Sequence, residues 1–189
     1  MKNIYKKINL AFDKSKTLKK PILFSQSFSI NVDNPIRLIS NVKINNHNIY
    51  FLGQPNKKNT IIGLNAIKKY SMNEEKDMMF DLSNAITSDG QNIGPKILGG
   101  HSFAKINSED AIWSNFPTSL FIMPECLLAE YNNESWLTIS TFIKYNSDID
   151  KIIRHFINLC KLYKNMLLNR IPKIKKITIR DSVNIPDKS

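Results

Sequence analysis

The sequence predicts an α+β fold, a largely antiparallel β-sandwich or sheet with flanking helices, on three observations. Short apolar runs alternate in the manner of strands and are separated by polar turns suited to hairpins. Other segments, near each end and in the middle, space apolar residues three and four apart, as amphipathic helices do. A chain of 189 residues that is 42% hydrophobic can bury one such core and is short for two.

Lys2 to Lys19 sets Ile4, Ile8, Ala11, Phe12, Ser15 and Leu18 on one helical stripe against a lysine-rich face, and Pro21 stops the helix. Ile22 to Asn31 alternates as a strand, with Ile22, Phe24, Gln26, Phe28 and Ile30 on one side and Leu23 and serines on the other. Asp33 or Asn34 can cap a short helix from Pro35 to about Val42. Asn48 to Gly53 and Thr60 to Ala66 read as a hairpin across a polar turn. Ser71 and Glu74 have capping-box spacing, and Met72, Met79, Leu82 and Ile86 carry a helix to about Ser88.

Ile97 to Ile106 reads as a strand whose glycine pair, Gly99 and Gly100, removes side chains from both faces at one point. Together with Gly94 the pair fits neither phosphate-loop template, so no anion cradle is expected. Thr118 to Glu130 and Ser135 to Tyr145 pair around Asn132 and Asn133. Ser147 caps the longest helix, with Ile149, Ile152, Ile153, Phe156, Cys160, Tyr163 and Leu167 on its stripe. After Pro172 the chain becomes extended and basic. The organisation predicted is a basic amphipathic helix over 1–20, one α+β domain over 21–170, and a strand or linker over 171–189.

The chemistry-bearing residues are sparse. His47, His101 and His155 stand apart from one another and from cysteine or acid at ligand spacing, so no zinc or iron site is expected. His101 and Ser102 are strand neighbours that point to opposite faces, which argues against a nucleophile pair. Glu74, Glu75, Asp77 and Asp81 read as water-facing acids in the first turns of a helix, and Glu125 and Glu130 as rim or turn positions. Phe24, Phe28, Tyr50, Phe51, Phe103 and Phe121 read as core. Cys126 and Cys160 read as buried packing thiols in a reducing compartment.

The net charge of +11 is concentrated at the two ends: residues 1–20 carry +6 and residues 151–180 carry +9, while 21–150 carry −3. Ile, Lys and Asn together make 74 of the 189 residues, a compositional bias that explains much of the lysine content. Aromatic residues do not interleave with the basic ones, so nucleic-acid binding is the disfavoured alternative. No apolar stretch is long enough to span a membrane, and a cytoplasmic location is expected.

The stretch from 97 to 140, "ILGGHSFAKINSEDAIWSNFPTSLFIMPECLLAEYNNESWLTIS", resembles the amino-terminal half of the chorismate-utilising enzymes, most of all isochorismate synthases. The family pattern falls on Gly99, Gly100, Phe103, Trp113, Phe116, Phe121, Pro124, Leu137 and Thr138, as structural positions. Ala104, Met123, Phe51 and Asn65 depart from it; Asn65 stands where a glycine is usual. The absence of a Leu-Leu-Glu-Ser signature leans away from the anthranilate and aminodeoxychorismate branches.

The resemblance implies an enzyme converting chorismate to isochorismate with magnesium, for menaquinone, phylloquinone or siderophore synthesis. It places the lysine base, the acid and the magnesium-binding glutamates in a carboxy-terminal half that this sequence does not match. No catalytic or metal residue is therefore assigned here, no cofactor is expected to bind this chain alone, and chorismate is expected only with the missing half docked. The glycine pair becomes a packing site, at which Gly100→Val is expected to overpack by about 1 to 3 kcal/mol.

Overall fold

The computed structural model describes residues 2–31, 48–54, 59–87, 94–102, 118–131 and 134–168. The elements are α1 (Lys2–Leu18), β1 (Ile22–Ile30), β2 (Ile49–Gln54) and β3 (Asn59–Tyr70). A 3₁₀ turn (Met72–Glu74) then leads into α2 (Glu75–Ser83). β4 (Leu98–His101), β5 (Ser119–Tyr131), β6 (Glu134–Ile143) and α3 (Ile149–Leu168) complete the chain. The expected short helix at 35–42 and the chain after Leu168 lie outside the described residues.

The α+β, antiparallel expectation holds, and the described strands form one six-stranded sheet rather than two facing sheets. Its order is β1-β6-β5-β3-β2, every ladder antiparallel, with β4 paired to β5. β5 is the central strand. β3 lies along one edge of it, and its other edge is divided between β6, at Cys126 to Tyr131, and β4, at Ser119 to Ile122.

Alternation sends Phe24, Ile62, Leu64, Cys126, Leu128, Leu137 and Ile139 to one face, where α1 and α3 cover them. α1 contributes Ile8 and Ala11, and α3 contributes Ile153, Phe156, Leu159, Cys160 and Tyr163, which bears out the predicted α3 stripe and the α1 stripe except at Leu18, which is 40% exposed. Phe24 and Phe156 meet at 4.8 Å between ring centroids with a 59° tilt. The opposite face carries a smaller cluster of Leu23, Tyr70 and Met123, with Met78 of α2 packed against it.

Two helix boundaries differ from expectation. α3 is capped by Asp148 rather than Ser147: its Oδ1 accepts from the backbone N–H of Asp150 at 3.0 Å and of Lys151 at 3.1 Å. Those bonds hold the Asp148 carboxyl below the usual range. α2 ends at Ser83, short of Ser88, because Ile86 leaves the helix and bridges β1, donating to Leu23 O at 2.8 Å and accepting from Ser25 N at 3.0 Å. Pairing with a strand thus overrode the helical spacing of Ile86, and Met79, 59% exposed, is left facing outward. At the start of the turn the Glu74 carboxylate accepts from Ser71 N at 2.6 Å and Ser71 Oγ at 2.8 Å.

Because Phe156 is fully buried where α3 crosses the sheet, Phe156→Ala is expected to destabilise by roughly 3 to 5 kcal/mol. A urea unfolding curve with unchanged midpoint would refute that placement.

Candidate functional site

The glycine segment is itself a strand of the sheet, paired with the first residues of β5. β4 is shorter than the strand expected over 97–106, and its register sets Gly99 opposite Phe121 and Gly100 opposite Leu120. A Cβ at Gly99 would fall on the Leu120 carbonyl oxygen and lie 2.6 Å from Phe121 Cα. One at Gly100 would meet no described atom within 4 Å. The overpacking expected at Gly100 therefore belongs to Gly99, and the backbone passing close is that of the neighbouring strand. Phe103, Trp113 and Phe116 lie outside the described residues, so the structure does not place them.

Just before β4, Gly94 crosses the sheet over β6. Here an added Cβ would sit 2.6 Å from the Thr138 side chain. Thr138 belongs to a buried hydroxyl ladder between β1 and β6: Ser27 Oγ and Thr138 Oγ1 are 2.8 Å apart, as are Ser25 Oγ and Ser140 Oγ. Each hydroxyl satisfies its cross-strand neighbour, which lets a polar stripe be buried.

Beyond β4 the surface opens into an apolar groove of about 470 Å³. β2 residues 49–52 form one wall and residues 97–99 the other, with Leu120 and Ile122 of β5 between them. Phe51 is 52% exposed and Leu52 56%, which corrects the expectation that Phe51 belongs to the core: β2 is the last strand of the sheet, so no described strand covers it. His101 is exposed and meets the Phe121 ring edge-on at 4.8 Å between centroids, as a strand residue with no described catalytic partner.

Two polar clusters escaped the sequence reading. Asp81 is not water-facing; it is 5% exposed, and its Oδ2 accepts from Lys68 Nζ at 2.6 Å and Tyr70 OH at 2.8 Å, tying α2 to β3. Glu125 is not at a rim. It lies inside β5, and its Oε2 accepts from Tyr163 OH at 2.5 Å and Asn65 Nδ2 at 3.3 Å, tying α3 to the sheet. Asn65 also donates to Tyr163 OH at 3.1 Å. A weak signal existed in each case: Tyr70 and Tyr163 bring a hydroxyl into apolar surroundings that must find an acceptor.

Burial, reinforced by the adjacent carboxylate, raises the pKa of both Tyr70 and Tyr163 above the ordinary tyrosine range. Burial also pushes the Cys126 thiol well up and the Cys160 thiol to about 11, so both expected packing thiols are buried, free and unreactive in character.

Among the described residues no group of three or more His, Cys, Asp or Glu could hold a metal ion. The carboxylates of Asp81 and Glu125 are already occupied, by Lys68 and Tyr70 and by Tyr163 and Asn65. They do not fit magnesium. No helix among the described residues is long and apolar enough to cross a membrane.

The family model for the chorismate binding enzymes matches residues 7–187. The chain belongs to the chorismate-binding enzyme family. No curated protein sequence matches it. Among solved structures it is similar to MenF, the menaquinone-specific isochorismate synthase from Escherichia coli, at 11% identity and a TM-score of 0.49. The similarity covers 88% of this chain and 35% of that one, so the chain spans little more than a third of that protein's length.

The backbone conformation accounts for the departure at Asn65. Its φ of 54° lies in the left-handed region, where glycine is unstrained and asparagine is the next least costly residue. The chain thus keeps a left-handed backbone turn at this position and adds an amide that bonds Glu125 and Tyr163. Pro124 is buried in β5, paired with Ala66 where the β3 register shifts.

Two outcomes follow. Gly99→Ala is expected to lower thermal stability clearly while Gly100→Ala leaves it nearly unchanged; the reverse order in a melting experiment would refute the register at β4. Raised folded-state values for Tyr70 and Tyr163 mean that the unfolded chain gives up protons first as pH rises, so stability is full below the ordinary tyrosine value of about 10 and declines above it. Tyr163→Phe is expected to cost roughly 1 to 2 kcal/mol at neutral pH and to flatten the alkaline decline, which denaturant titrations between neutral and alkaline pH would measure.

Proposed function

We propose that this chain is the amino-terminal part of an isochorismate synthase, a scaffold for the isomerisation in which the chorismate C4 hydroxyl is lost as water adds at C2. The observation that carries the reading is the family match over residues 7–187. The isochorismate branch is supported by the motif resemblance over 97–140 and by the missing Leu-Leu-Glu-Ser signature. Salicylate, anthranilate and aminodeoxychorismate synthases are the other branches.

On this reading the reacting groups lie on polypeptide other than the described residues. Supporting it, Asp81 and Glu125 are bound to lysine, tyrosine and asparagine partners, Asp148 caps α3, and the sequence holds no strand like the lysine-bearing one of the family. Magnesium, when bound in the complementary half, would supply charge stabilisation to the substrate carboxylates. The residues of this chain would hold that half in place and exclude water from one side of the cleft. A cytoplasmic role in menaquinone, phylloquinone or siderophore synthesis follows from the same reading.

The terminal lysines favour no rival reading. Lys7 Nζ donates to Thr87 O at 2.9 Å and Lys14 Nζ to Asn84 O at 3.0 Å. Lys16, Lys20 and Lys164 lie over Phe12, Phe80 and Phe28 at 4.0, 4.5 and 3.7 Å from the ring centroids.

Purified chain incubated with chorismate and magnesium is expected to leave chorismate unchanged, and to yield isochorismate once the complementary half is supplied. Turnover by the chain alone, or anthranilate formed by the assembled pair given ammonia, would overturn the proposal.

A further inference from the structure

We draw no further inference here: the strongest candidate, the apolar groove over β3 and β5 between β2 residues 49–52 and residues 97–99, is an apolar face without a partner among the described residues, and nothing in the structure shows what covers it.

Discussion

Everything in this fold depends on β5 being buried on both faces and occupied on both edges. Its 13 residues pair with β3 along one edge and with β4 and then β6 along the other. Cys126 and Leu128 enter the core under α1 and α3, while Leu127 and Ala129 are buried on the opposite side. A strand covered on both faces has no solvent side, which is why its sequence is almost continuously apolar instead of alternating. Remove that double cover and neither the helix layer nor the glycine strand has anything to pack against.

The polar groups inside this arrangement define how its layers are fixed. Apolar contact is tolerant of sliding, whereas a buried carboxylate must keep its donors. Glu125 holds Tyr163 and Asn65, locking α3 to β3 and β5; Asp81 holds Lys68 and Tyr70, locking α2 to β3. The hydroxyls of Ser25, Ser27, Thr138 and Ser140 do the same between β1 and β6. The Glu125 cluster and the hydroxyl ladder join elements distant in sequence, whereas Asp81 joins the neighbouring α2 and β3. Asp81 and Glu125 are thereby committed to architecture.

The basic termini follow the same logic. Lysines at 7 and 14 bind backbone carbonyls near the end of α2, and those at 16, 20 and 164 lie across aromatic rings of this chain. Lys7, Lys14, Lys20 and Lys164 thus help to fasten α1 and α3 to their surroundings, while Lys16 lies over a ring of α1 itself.

The order of elements, the hairpins, the stripes of α1 and α3 and the two buried cysteines were all legible in the residues, because each rests on a local period or a local turn. The family likeness was legible too, since Gly99, Gly100 and Pro124 stand in one run. What local pattern could not decide was which neighbour each residue would meet. Ile86 had helical spacing and went to a strand; Asp81 and Glu125 had the look of surface acids and found tyrosines from elsewhere in the chain. Gly99 and Gly100 are indistinguishable as letters, and only the register against Leu120 and Phe121 makes one of them indispensable. Sequence alone set the periods along the chain; the tertiary structure chose the partners across it, because long-range contacts depend on strand order and register, and neither is encoded in any single segment.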